Sequence, residues 1–240
     1  MPFSRRTPLT LSFLVLSGAL ILAPTLGAQA ATTSPTTASV LASATKSLNK
    51  ETGVHIVVKT VDKKVDSSVV ADIGTARGTE TYVSGAETFT ITVTPKYAYL
   101  YGSKKGLTTL MGLSASEQSK VGSDAIVMKA GTSPYSTFHS NLTSGAFSQL
   151  LPPAKGTSLL ATRDKATNGY QLSWTTAKTS STPKELSILT ISSGAKALPL
   201  KETVSTSDGS SHTAFTKWGE SVQVQIPSKT IPYATVFPAS

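Results

Sequence analysis

The sequence predicts an α+β domain that combines an antiparallel sheet of about eleven strands with a few helices. Segments with alternating apolar and polar residues occupy the early and late parts of the chain, with turn residues about every eight to twelve positions. A middle section instead has helical spacing. No stretch between Gly53 and Ile226 resembles an interdomain linker, so we expect one domain over 38–240.

The first elements are a helix and a meander of strands. Val40, Ala44 and Leu48 recur at helical spacing and predict a helix over 37–50, after a flexible lead at 31–37. Period-two alternation then predicts five strands, at 54–59, 69–73, 79–83, 89–93 and 97–101.

The middle section holds two predicted helices and a short strand. One helix begins at Ser114, with Glu117 three residues later as a capping box. A strand follows at 125–128. The second helix begins near Pro134 and ends at Pro152-Pro153.

Six further strands complete the predicted sheet. Asn168-Gly169 is a strong hairpin-turn signal within this part of the chain. The strands are expected at 158–162, 169–175, 185–192, 197–204, 211–217 and 222–226.

The first thirty residues have the layout of a secretory signal peptide. Arg5 and Arg6 precede an apolar run, Leu9–Ala23, and Ala28-Gln29-Ala30 is a signal-peptidase pattern. We expect cleavage near Ala30 and a secreted, extracytoplasmic protein of the cell envelope. An uncleaved N-terminal anchor is the alternative.

The charge and cysteine content exclude several function classes. The 22 Lys and Arg residues exceed the 13 Asp and Glu residues, but without Arg5 and Arg6 the net charge falls from +9 to +7. The remaining basic residues are dispersed, so we expect no nucleic-acid partner; peripheral contact with a membrane surface fits this charge better. The absence of cysteine excludes disulfides and thiolate metal sites, and neither a cofactor nor a metal is expected.

No catalytic motif stands out. The sequence has no Gly-x-Ser-x-Gly elbow, phosphate loop, dinucleotide fingerprint or His-Glu-x-x-His motif. An enzyme acting on cell-wall or lipid substrates would need two or three of Asp72, Glu80, His139 and a serine to converge in one cleft. We therefore predict a protein that is not an enzyme and has no catalytic residues.

Three segments of the chain resemble parts of one known family. They are Ala98-Tyr99-Leu100-Tyr101-Gly102, followed by Leu110; the stretch 112–135; and Phe215–Pro227, with Trp218-Gly219. In this order they are similar to a strand, to the stretch that leads to the second helix and to the closing strand of the LppX/LprG-type envelope proteins of actinobacteria. Two departures stand out: Ala31 occupies the place of a lipidated cysteine, and Ile126 or Val127 replaces a usual tryptophan.

The resemblance implies a LolA-like fold, in which a curved antiparallel half-barrel is covered on its concave face by helices. It also implies an exported protein that binds a lipid or acylated ligand in the space between sheet and helices, as a carrier or sensor. A protein partner in the membrane is a further expectation. Alternation along the strands and helices gives the residues expected to line this cavity: Ile56, Val58, Phe89, Ile91, Val93, Tyr99, Tyr101, Leu110, Met111, Phe138, Leu142, Leu172 and Trp174.

A filled core is the alternative for every one of these residues, because a lipid cavity is a core with some volume left empty. With a filled core, the same fold would serve as a non-catalytic interaction or sensor module of the envelope, without a lipid ligand.

Overall fold

A computed structural model describes residues 36–63, 66–152, 159–176 and 184–238. The predicted signal peptide and most of the predicted flexible lead lie outside the described residues. The described chain divides into two compact units. The first comprises Glu51–Ala146 and 213–238, and the second comprises 36–50 and 147–212; the expectation of one domain over 38–240 remains a prediction.

The sheet of the first unit has the strand order β12-β6-β5-β4-β3-β2-β1. All its neighbouring pairs are antiparallel except β6 and β12, which are parallel. Its strands are β1 (Gly53–Asp62), β2 (Ser67–Gly74), β3 (Gly78–Ser84), β4 (Glu87–Val93), β5 (Tyr97–Gly102), β6 (Ala125–Lys129) and β12 (Thr230–Pro232). Its helices are α2 (Lys104–Met111), α3 (Ala115–Val121), α4 (Ser133–Asn141) and α5 (Tyr233–Val236).

The second unit contains helix α1 (Thr37–Leu48) and four antiparallel strands in the order β10-β9-β8-β7. These strands are β7 (Leu160–Asp164), β8 (Gly169–Thr176), β9 (Glu185–Ser192) and β10 (Pro199–Ser205). Strand β11 (Gly209–Thr216) and a 3₁₀ helix (Ser144–Leu150) each span the division between the two units.

The predicted α+β class and the largely antiparallel sheet are confirmed. The described residues form twelve strands, where the sequence indicated about eleven. The capping box is also confirmed, since Ser114 and Glu117 bind each other's backbone N–H groups at the start of α3. At the predicted hairpin, Asn168 has a φ of 49°, the left-handed conformation that asparagine tolerates.

Two helices differ from the prediction. Helix α2 was not predicted as a separate element; Ser103 caps its start, and Gly112, with a φ of 69°, ends it in the left-handed conformation. Helix α4 is shorter than predicted and ends at Asn141, so the rest of the predicted helix is a turn and the 3₁₀ helix.

The predicted strand at 222–226 is wrong. Val222 and Val224 are half-buried while Gln223 and Gln225 are exposed, but Ile226 is 58% exposed, so the alternation in burial does not continue through the segment. A Cβ added at Gly74 would lie 2.9 Å from the Cβ of Val222. At its other end, the carbonyl of Lys229 accepts a 3.0 Å hydrogen bond from the N–H of Ala125. The segment 220–229 therefore passes the end of β2, where Val222 contacts Gly74, and continues to β12. The sequence analysis did not predict β12.

The register of the first unit separates two faces of the sheet. Phe89, Ile91 and Val93 mark one face, which we call the apolar face. The other, the threonine face, carries Thr79, Thr81, Thr90 and Thr92; hydroxyl contacts join Thr79 to Thr92 at 3.2 Å and Thr81 to Thr90 at 3.0 Å. Side chains alternate between the two faces along a strand, and residues opposite each other in the register lie on the same face. The partner of a residue in the register therefore shows on which face its side chain lies.

Helix α2 packs against β4 through Gly106, which generates a first prediction. A Cβ at this position would contact the Thr88 carbonyl oxygen and lie 2.7 Å from its carbon. We expect Gly106→Ala to lower the free energy of unfolding by about 1–3 kcal/mol, although alanine favours helix, because the helix must shift. Urea unfolding followed by circular dichroism measures the change.

Gly145→Ala is the matched control, because no atom lies within 4 Å of a Cβ added at Gly145. Equal unfolding midpoints for the two variants would contradict the close approach of α2 to β4.

Candidate functional site

The apolar face of β4, β5 and β6 carries one buried hydrophobic cluster. Leu100 and Ile126 are opposite each other in the register and are both fully buried. Each of the four helices of the first unit contributes a buried side chain to this cluster: Leu107 from α2, Val121 from α3, Tyr135 from α4 and Val236 from α5.

Polar contacts fix α2 on the edge of this cluster. The hydroxyl of Ser103 accepts hydrogen bonds from the N–H groups of Gly106 and Thr88, both at 3.0 Å. The backbone N–H of Ser103 donates to the Thr88 carbonyl at 2.8 Å. One serine thus caps the helix and joins it to the start of β4.

Helix α4 is attached to the β4–β5 turn by its tyrosine. The hydroxyl of Tyr135 lies 3.0 Å from the carbonyl of Thr94 and 3.1 Å from that of Pro95. The ring of Tyr135 stacks on His139 at a centroid distance of 5.1 Å. The start of α4 is therefore held, while its Thr132 side chain makes no capping hydrogen bond.

Beyond α4, the chain crosses the apolar face at Gly78. The carbonyl oxygen of Leu142 occupies the position where a Cβ of Gly78 would lie. The next residue, Thr143, forms an isolated bridge with Gly74. Glycine is required at position 78 because the Leu142 backbone takes the place of a side chain.

Seven apolar side chains pack against the cluster but remain partly exposed: Tyr82, Leu110, Met111, Phe138, Ile231, Tyr233 and Phe237. Leu110 and Met111 come from the last turn of α2, and Phe138 comes from α4. Tyr82 stacks on Phe89 with a centroid distance of 4.9 Å. We call Tyr82, Leu110, Met111 and Phe138 the margin of the cluster.

The structure brings together several of the residues predicted to line the cavity. Phe89, Ile91, Val93 and Leu142 belong to the cluster, and Leu110, Met111 and Phe138 pack against it. Ile56 and Val58 lie on the same apolar face, because the register aligns them with Ala71 and Val69 of β2.

Four other predicted residues lie elsewhere. Tyr99 and Tyr101 are on the threonine face, opposite Thr92 and Thr90. Leu172 and Trp174 belong to β8 of the second unit, where both are buried.

The sequence analysis did not assign Glu80 to this site, nor its neighbour Tyr82. Glu80 is directly opposite Ile91 and Ala71, so its side chain is on the apolar face, where it is 8% exposed. Burial raises the pKa of Glu80 to about 7, because a desolvated carboxylate is unfavourable. The alternation along β3 could have assigned Glu80 to the apolar face, because Glu80 and Tyr82 are two residues apart and therefore lie on the same face of the strand.

The second unit has a carboxyl in a similar position. Glu202 of β10 is opposite Leu189, which is in turn opposite Leu172, and both leucines are fully buried. Burial raises the pKa of Glu202 to about 7.

Helix α1 is attached to the second unit through the hydroxyl of Ser47, which accepts a 3.0 Å hydrogen bond from the N–H of Ala197.

The candidate acids do not form a catalytic pair. Asp72 lies on the threonine face, where its carboxylate is 2.7 Å from Nδ1 of His55, and Glu80 lies on the apolar face.

Within the described ranges, no group of three or more His, Asp or Glu residues could hold a metal ion. Among the same residues, no helix has the length and apolar character needed to cross a bilayer.

No protein-family model and no curated protein matches this sequence. The structure is similar to that of LprF from Mycobacterium bovis, with 13% identity, coverage of 78% of this chain and 95% of that chain, and a TM-score of 0.45. It is also similar to the lipoprotein LppX of Mycobacterium tuberculosis, with 14% identity, coverage of 79% and 100%, and a TM-score of 0.40.

The buried carboxyl of Glu80 generates a second prediction, on the pH dependence of stability. Below pH 4.5 both the folded and unfolded states hold the Glu80 proton; above it, the unfolded state loses the proton first. The folded state is therefore progressively destabilised up to about pH 7, by about 3 kcal/mol. We expect Glu80→Gln to remove this contribution, so that the variant gains stability over the wild type as the pH rises from 4.5 to 8.

Urea unfolding at several pH values measures this difference, with Glu220→Gln, an exposed carboxyl, as the control. A difference between wild type and Glu80→Gln that stays constant with pH would contradict the burial of this group.

Proposed function

We propose that this chain is an exported envelope protein that binds a lipid or acylated ligand, as a carrier or sensor, against the apolar face of its first unit. The observation that carries the proposal is the partly exposed apolar margin formed by Tyr82, Leu110, Met111 and Phe138 beside a fully buried cluster. The short helices α2 and α4 supply three of these four side chains.

The energetics of acyl-chain burial suit a site without catalytic groups. At about 0.8 kcal/mol per buried CH₂, a sixteen-carbon chain represents roughly 12 kcal/mol of gross transfer free energy. The loss of translational and rotational freedom offsets several kcal/mol of that. The remainder supports binding with few polar contacts.

A filled core is the second candidate, and near-complete burial of part of the cluster favours it. Phe89 and Leu142 are 4% and 2% exposed, and Val93 is fully buried. In that case the protein is an interaction or sensor module of the envelope, and its partner is a membrane protein rather than a lipid.

Lipid analysis of the native protein separates these two functions. The mature protein is purified from its native host without detergent, extracted with organic solvent and analysed by mass spectrometry. A lipid bound in stoichiometric amount is expected. Protein free of lipid that also fails to take up a neutral pyrene-labelled long-chain ester would favour the filled core.

The partly exposed margin generates a third prediction. Met111→Glu places a charge where an acyl chain would lie, so we expect at least about tenfold weaker binding of the pyrene-labelled ester. Met111 is half-buried at the end of α2, which limits the effect on folding. Fluorescence titration measures the affinity.

Val83→Glu is the matched control, because it introduces the same charge on the opposite face of the sheet. Val83 lies on the threonine face of β3 and is 39% exposed. Equal loss of binding in both variants would place the ligand away from the α2 margin.

Export is tested separately. The protein is expected outside the cytoplasm of its native host, with a mature N-terminus at Ala31, as determined by cell fractionation and N-terminal sequencing. A mature protein that retains Met1 and sediments with membranes would instead support the uncleaved anchor.

A further inference from the structure

The row of side chains across the centre of the apolar face has one polar member. In the register, the residues opposite one another from β1 to β6 are Ile56, Ala71, Glu80, Ile91, Leu100 and Ile126. Glu80 is thus flanked by an alanine and an isoleucine, with Tyr82 and Gly78 as its neighbours on the same face of β3.

No described residue donates a hydrogen bond to the Glu80 carboxyl, although the side chain is more than nine-tenths buried. The carboxyl oxygens of Glu80 keep some contact with solvent, because Gln149 Oε1 is the one fully buried side-chain oxygen or nitrogen without a partner among the described residues. The loss of most of this water without a replacement hydrogen bond is unfavourable for the carboxylate. The other acids of this region are paired: Asp72 contacts His55, and Glu87 forms an ion pair with Lys105 at 3.0 Å. Glu80 is therefore the exception among the carboxyls of β2, β3 and β4.

Two neighbours of Glu80 on the apolar face are small, Ala71 of β2 and Gly78 of β3. The backbone of Leu142 covers Gly78, whereas Tyr82, the other neighbour along β3, is partly exposed. Tyr82 belongs to the margin of the cluster, together with Leu110, Met111 and Phe138.

We propose that Glu80 is the polar recognition residue of the ligand site, and that it accepts a hydrogen bond from a hydroxyl or N–H group of an acylated ligand. This inference rests on the proposed function and specifies its ligand class: an apolar chain with a neutral or cationic hydrogen-bond donor. A ligand with an anionic head is selected against, because two carboxylates in an apolar environment repel each other.

Two isomeric ligands test this selection. Hexadecan-1-ol and 1-methoxypentadecane have the same atoms and nearly the same chain, but only the alcohol donates a hydrogen bond. Binding is measured at pH 8 by displacement of the pyrene-labelled ester, with both compounds delivered from cyclodextrin. Burial raises the pKa of Glu80 to about 7, so at pH 8 its carboxylate only accepts hydrogen bonds.

The wild type is expected to bind the alcohol at least about tenfold more tightly than the ether, as for sites that hydrogen-bond a ligand hydroxyl. Glu80→Leu should bind both equally, and its apolar side chain matches the rest of the row, so folding is preserved. Thr81→Val, on the opposite face of the same strand, is the matched control and should keep the preference.

The outcomes separate this inference from the function on which it rests. Equal binding of the two isomers by the wild type, or a preference that survives in Glu80→Leu, overturns the role of Glu80 while the lipid site stands. Failure of the wild type to bind either isomer or the pyrene-labelled ester overturns the lipid site itself.

Discussion

The arrangement of the first unit depends on the continuous antiparallel register of β1 to β6. Because side chains alternate along each strand, this register collects Val54, Ile56, Ile91, Leu100 and their neighbours on one side and threonines on the other. A shift of one residue in any strand would place its apolar side chains among the threonines. The hydrophobic cluster, the position of the helices and the burial of Glu80 all follow from this alignment.

The helices on the apolar face are short and rely on a few specific contacts. Ser103, Gly106 and Tyr135 join α2 and α4 to the strands, and Gln118 links α3 to α2 through a 2.7 Å hydrogen bond to Thr108. Helices of seven to nine residues have little stability of their own, so packing against the sheet stabilises them. Their apolar ends consequently remain partly exposed at the margin of the cluster.

The sequence predicted the strands well, because their alternation reflects a sheet with one buried face. Strands β1 to β6 lie close to their predicted positions, and the capping box located α3. Alternation failed at 222–226, where Val222 packs against Gly74 but the segment pairs with no strand in the described structure. It also assigned Tyr99 and Tyr101 to the cavity, because the side each strand presents depends on partners that are distant in sequence. The burial of Glu80 was missed for the same reason.

The first unit is assembled from two stretches that are far apart in the chain, Glu51–Ala146 and 213–238. Its sheet gains its final strand only when Thr230–Pro232 pairs with β6, about a hundred residues earlier in sequence. Without β12, the edge of β6 exposes unpaired backbone N–H and C=O groups, which can pair with a strand of another chain. Contacts of such long sequence separation form slowly, since the intervening loop must first close. Pairing of β12 with β6 therefore requires the closure of a loop of about a hundred residues before the sheet of this unit is complete.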